Sequence, residues 1–138
     1  YCERFLQISD AVAESGAVLL QENVAKYRAN DLDFQKNMVR QLGERAAFCL
    51  DVKQCVRGGY SPFDMLNAVG ENVRHLHISD HNAEKDCLLP GDGEFDFNSL
   101  FKAAAGCGFN GAAIIEVYRW SYSAENEVFS SYNRLKNS

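Results

Sequence analysis

The chain has 138 residues, 46% of them hydrophobic and 24% charged, so it can bury a core as one soluble domain or part of one. Nineteen acidic against fourteen basic residues give a formal charge of −5, a field that repels polyanions and offers no basic footprint for nucleic acid. No apolar run approaches the roughly 20 residues of a membrane-spanning helix, which leaves no membrane partner to expect.

In chain order, Arg4 to Glu14 carries Phe5, Ile8 and Val12 at helical spacing and is closed by Gly16. The apolar run "AVLLQE" at 17–22 follows. A second helix is predicted from Asp33 to Leu42, with Phe34, Met38, Val39 and Leu42 on one face before Gly43, and then the run "AAFCLD" at 46–51. Ser61-Pro62-Phe63-Asp64 reads as an N-cap, a proline at the first helical position and an acid at the third, so a helix runs from Pro62 to about Val69. The run "VRHLHISD" at 73–80 precedes a helix that begins near Asp96 or Asn98 and ends at Gly106 to Gly108. The run "AAIIEV" at 112–117 precedes a last helix, roughly Ala124 to Lys136, that is expected to bury Val128, Phe129, Tyr132 and Leu135.

Each of the four runs is short and bounded by Gly or polar residues, as expected of strands buried on both faces of a parallel sheet. Alternation with helices makes this an α/β fold. The five cysteines, Cys2, Cys49, Cys55, Cys87 and Cys107, contain no C-x-x-C pair. They are expected to be reduced packing residues of a cytoplasmic protein. The chain opens at Tyr1 without an initiator methionine or a signal-like segment, and a piece of a longer protein is expected.

The runs share a second property. They end in Glu22, Asp51, His77 and Glu116, and the intervals between them each accommodate a helical crossover to a parallel neighbour. Parallel strands bring their carboxyl ends to one rim, so the four side chains converge on one face. Taken singly, an acid at a strand end is most often a helix cap or a solvated loop residue. Four in register point to a site. Two Glu, one Asp and one His form an oxygen-rich set with a single imidazole, suited to one divalent ion: Mn²⁺, Mg²⁺, Co²⁺ or Zn²⁺. All three histidines fall within "HLHISDH", 75–81. Asp80 is placed to accept from the second ring nitrogen of His77. His75 points to the same face but deeper, as a packed or supporting histidine, and His81 is expected to be a solvated loop residue.

The pieces "LLQEN", "FCLDVKQ", "HLHISD", "LPGDGEFDF" and "IIEVY" together resemble the sugar phosphate isomerase/epimerase group of the xylose isomerase-like TIM barrel superfamily. The resemblance covers nearly the whole chain but only the last four of eight βα units, because a full (β/α)₈ barrel needs about 250 residues. Residues 1–138 are therefore expected to be a single partial domain, the C-terminal half of the barrel. The resemblance implies one metal on Glu22, Asp51, His77 and Glu116. It also implies that Glu22 and Glu116 serve as paired acid/base groups moving a proton between adjacent carbons of a sugar or sugar phosphate. The "PGDG" turn, Pro90 to Gly93, resembles the loop bordering the substrate, where glycines permit close backbone approach.

Many relatives have a His three residues after the Asp, where this chain has Gln54. Gln54 can donate to a substrate hydroxyl but cannot act as a base. Lys53 and Arg119 are candidates to bind a substrate phosphate or carboxylate, the alternative for each being a salt bridge to a neighbouring acid.

Two other readings compete with this one. A non-catalytic sugar-binding or interaction module on the same barrel is favoured by Gln54 and opposed by the four intact ligands. A DNA-repair branch of the endonuclease IV type, with three zinc ions, needs histidines where this chain has Gln54 and Leu88, and the acidic balance opposes it. Four βα units leave open sheet edges. Three arrangements follow: a fragment, a chain whose first half lies outside these residues, or two copies pairing their half-barrels as a homo-oligomer.

Overall fold

A computed structural model describes residues 1–136. Four strands, β1 (Gln21–Glu22), β2 (Phe48–Asp51), β3 (Val73–Ile78) and β4 (Ala112–Ile115), form one sheet in that order, every neighbouring pair parallel. Six helices alternate with them: α1 (Cys2–Ala13), α2 (Leu32–Leu42), α3 (Val52–Gly58), α4 (Pro62–Val69), α5 (Phe97–Gly106) and α6 (Glu125–Lys136). This is half of a TIM barrel.

Local signals set the helix starts. Asp31 accepts from the Phe34 N–H to open α2, Asp96 accepts from the Ser99 N–H to open α5, and Ser61 with Asp64 forms a reciprocal capping box at α4. Between the helices and one face of the sheet lies the core. Phe48, Leu50, Leu76 and Ile78 pack there with Met38, Met65, Leu66 and Leu100. The alternate residues, Cys49, Asp51, His75 and His77, belong to the opposite face, on which the strand ends carry polar groups.

The structure corrects several expectations. The first run forms a ladder only at Gln21 and Glu22, because β1 has a strand on one side only; Val18 is 70% exposed. The second edge, β4, is not buried on both faces: Ala112, Ala113 and Ile114 are exposed, whereas all four residues of β2 are buried. On α6, Phe129 and Tyr132 are 69% and 54% exposed and Val128 and Leu135 half-buried. The buried residue of that helix is Ser131, whose hydroxyl donates to the Pro90 carbonyl. On α1, Phe5 is buried but Ile8 is exposed. Helix α3 escaped sequence reading because its seven residues carry too short a periodicity. Its cap was legible in retrospect, since Asp51 accepts from the Gln54 N–H and Gly59 closes the helix in the left-handed region. Among the described residues no helix is long and apolar enough to cross a membrane.

Candidate active site

Parallel register builds the site. Asp51 pairs with His77 and His77 with Ile114, and the Glu116 N–H continues the ladder by donating to the Ile78 carbonyl at 2.9 Å. Glu22 enters from β1, in register with Cys49. Each of Glu22, Asp51, His77 and Glu116 thereby offers one ligand atom, and these atoms lie within 4.8 Å of one another. The two glutamates come from the outer strands and flank the Asp51–His77 pair.

His77 Nδ1 is the centre of this arrangement. It faces Glu116 Oε2 at 3.2 Å, Glu22 Oε1 at 3.5 Å and Asp51 Oδ2 at 3.7 Å, yet it is buried and makes no aligned hydrogen bond. A buried polar nitrogen ringed by carboxylate oxygens without hydrogen-bond alignment is what a cation-binding donor set presents. A divalent ion fits these residues: one imidazole and three carboxylates.

The electrostatics follow from crowding. Burial first, then the charge of Asp51, raises the Glu22 carboxyl above the ordinary glutamate range. Burial alone would raise Asp51 too, but His77, Glu116 and the Lys53 ammonium beside it outweigh that cost and hold it well below the aspartate range. The Asp51 carboxylate, then the Cys49 thiol, push the His77 imidazole up to about 10. A histidine whose folded value lies above its unfolded value of 6.5 stabilises the fold fully below 6.5 and loses that contribution as pH rises through about 10. In EDTA, the melting temperature of the chain is therefore expected to fall between pH 7 and pH 10 with a slope that becomes shallower in His77→Gln. An unchanged slope in that variant would refute the assignment.

The family model of the xylose isomerase-like TIM barrel matches residues 1–137. This chain belongs to that family. Solved barrels with the same half-fold include 3-keto-D-glucoside 4-epimerase YcjR from E. coli (TM-score 0.78, 19% identity) and a D-tagatose 3-epimerase-like protein (0.76, 17%). A third is the IOLI protein with a bound zinc atom (0.75, 17%). They align with 99%, 99% and 98% of this chain and with 52%, 52% and 53% of their own. The chain thus spans about half the length of these structures. The uncharacterized protein Rv0498 of Mycobacterium tuberculosis is 30% identical over 87 residues, which are 62% of this chain and 31% of that protein.

In this xylose isomerase-like half-barrel, the remaining expected site residues have other partners. Lys53 is buried and turned inward, with Nζ 2.9 Å from Asp51 Oδ2 and 2.8 Å from Glu116 Oε2: the salt-bridge alternative. Burial works against its charge, but Glu116 and Asp51 hold the ammonium above the usual lysine range. Gln54 Oε1 accepts from the Ala25 N–H at 2.9 Å, tying α3 to the segment after β1. Arg119 donates to the Tyr122 carbonyl and lies over the Tyr122 ring, on its own exposed turn. His75 meets His77 edge to face at 5.3 Å, and burial first, then the charge of His77, lowers its ring. His81 is half-buried beside Phe95.

Asp80 requires the largest correction. Its carboxylate accepts from the backbone N–H groups of His81, Gly91, Gly93 and Phe95 at 2.7 to 3.0 Å, and so organises the "PGDG" loop instead of an imidazole. A Cβ on Gly93 would lie 2.3 Å from Asp80 Oδ1, which explains the glycine there. The Cys49 thiol, on the neighbouring strand, acts on the His77 imidazole by raising it.

Two further contributors were missed. Asn23, fully buried, accepts from the Asp51 N–H at 2.8 Å and donates to the Asp51 carbonyl at 3.2 Å, clamping the end of β1 to Asp51. The Tyr118 ring lies 5.6 Å from Lys53 Nζ, and its hydroxyl accepts from Arg57. Only the polarity of an Asn immediately after an apolar run hinted at the first. Nothing local marked the second.

Proposed function

We propose that this chain is the metal-binding half of a sugar or sugar phosphate isomerase or epimerase, cytoplasmic, in which Glu22 and Glu116 transfer a proton between adjacent carbons. The observation that carries the reading is the convergence of Glu22, Asp51, His77 and Glu116 around the buried, unpartnered Nδ1 of His77. The sugar epimerases among the solved relatives support the substrate class, and a relative with bound zinc supports a divalent ion.

The ion, held by those four residues, would polarise the carbonyl and hydroxyl oxygens of the sugar. One glutamate removes the proton beside the carbonyl, the electron pair moving toward the carbonyl oxygen. The other returns a proton to the same carbon from the opposite face, which epimerises it, or to the former carbonyl carbon while the hydroxyl proton passes to the former carbonyl oxygen, which isomerises the sugar. A raised carboxyl at Glu22 suits a group that must hold a proton for part of the cycle. Asn23 and the β1–β2 register keep Glu22 opposite Glu116 while this happens.

The test is incubation of the chain with Mn²⁺ and a panel of ketoses and their phosphates in D₂O. Deuterium incorporation that stops when EDTA is added is the expected result. A sugar-binding module without turnover is the competing reading, favoured by the Lys53 ammonium already seated on two of the carboxylates. Binding of a sugar without exchange for any member of the panel would decide for it.

A further inference from the structure

The oxygens that Lys53 contacts are Asp51 Oδ2 and Glu116 Oε2, the same two that face His77 Nδ1 at 3.7 and 3.2 Å. A divalent ion seated beside His77 Nδ1 would meet those oxygens, so the ion and the ammonium would draw on the same two carboxylates. Lys53 has little room to withdraw: the residue is buried, it sits in the first turn of α3 behind its own cap, and the Tyr118 ring, braced by Arg57, lies over its head group. The ammonium is therefore a fixed positive charge a few ångströms from the ion.

We propose that Lys53 is a built-in competitor for the metal: it holds Asp51 and Glu116 in ligand geometry and, by its charge, makes the divalent site weak and readily exchanged. This rests on the metal reading above. With three carboxylates, one ammonium and a divalent ion, the loaded site is electrically neutral, whereas without Lys53 it would carry one excess negative charge. Removing that ammonium from a crowded, partly desolvated cluster leaves an excess of negative charge that a divalent ion neutralises more strongly. The same ammonium occupies two of the ligands when no ion is bound, which keeps three mutually repelling carboxylates from splaying apart.

The experiment is isothermal titration of the full chain with Mn²⁺, comparing Lys53→Met, Lys53→Gln and Lys53→Arg with the unaltered protein at one pH, with circular dichroism confirming that each is folded. The neutral variants are expected to bind Mn²⁺ roughly tenfold tighter or more, and Lys53→Arg, which keeps the charge, to stay close to the unaltered protein. Unaltered protein that binds Mn²⁺ while the neutral variants bind equally or more weakly would overturn the competitor role and leave the metal site standing. If no protein in the series binds Mn²⁺, the metal reading fails and the inference falls with it. Should Lys53→Met not fold, Lys53→Gln, which retains a polar head for the two carboxylates, carries the comparison.

Discussion

Glu116→Gln is expected to slow solvent deuterium exchange into the substrate by roughly 10²-fold to 10⁴-fold, the usual contribution of one positioned acid/base group. The amide keeps the size of the side chain and one oxygen to face His77, but it can neither accept a proton from carbon nor carry charge toward the ion. The Lys53 ammonium, 2.8 Å from Glu116 Oε2, would retain an acceptor, so the geometry of the site should survive while its chemistry does not. The measurement is made with Mn²⁺ raised until the rate no longer increases, which separates lost proton transfer from weakened metal binding. A rate at saturating Mn²⁺ within a few-fold of the unaltered chain would remove Glu116 from the proton path and leave it as a ligand alone.

Asp80→Ala is expected to lower the unfolding free energy by roughly 3 kcal/mol or more, because several backbone donors lose a charged acceptor at once. The carboxylate is 1% exposed and accepts from four N–H groups spread over residues 81 to 95. The Asp80 backbone meanwhile exchanges two hydrogen bonds with Leu88 across the same loop. One residue thus pins both ends of the segment that follows β3. Helix α6 braces it from outside through the Ser131 hydroxyl and the Arg134–Asp92 ion pair. Asp80→Asn should be nearly as harmful as Ala, since an amide turns one of its two ends toward N–H donors as a fellow donor. Urea unfolding measures both variants. A loss under about 1 kcal/mol for Ala, the net worth of a single ordinary hydrogen bond, would contradict the loop-organising role.

These two residues mark how unevenly the site could be read from the chain. Glu116 was placed by a short-range rule: an acid at the end of an apolar run, on a strand whose parallel neighbours bring their ends to one rim. The same rule found Glu22, Asp51 and His77. Asp80 was expected to accept from His77, whereas its carboxylate accepts from four backbone N–H groups of the loop. Three residues beyond His77 it has already left the strand, and loop geometry, which no periodicity encodes, turned it toward residues 91 to 95.

Arg119 and Lys53 show the same limit. Both were candidates for a substrate anion. Arg119 closes its own turn on Tyr122, a contact only three residues away. Lys53 reaches Glu116, 63 residues distant, because β2 and β4 flank β3 in one sheet.

What the sequence determined by itself was therefore whatever depends on neighbours within a few residues. That covers the cap at Ser61, the alternation of apolar runs and helical faces, and with them the parallel α/β order and the four side chains that meet at one rim. Tertiary structure decided the rest. It exposed Phe129 and Tyr132 on a helix whose pattern suggested burial, left β4 uncovered at the sheet edge, seated Lys53 between two ligands, and drew Asn23 and Cys49 around Asp51 and His77. The physical reason is common to all of these. Burial and long-range pairing are set by which surfaces the packed elements bring together, and a side chain's own neighbours in the chain carry no record of that.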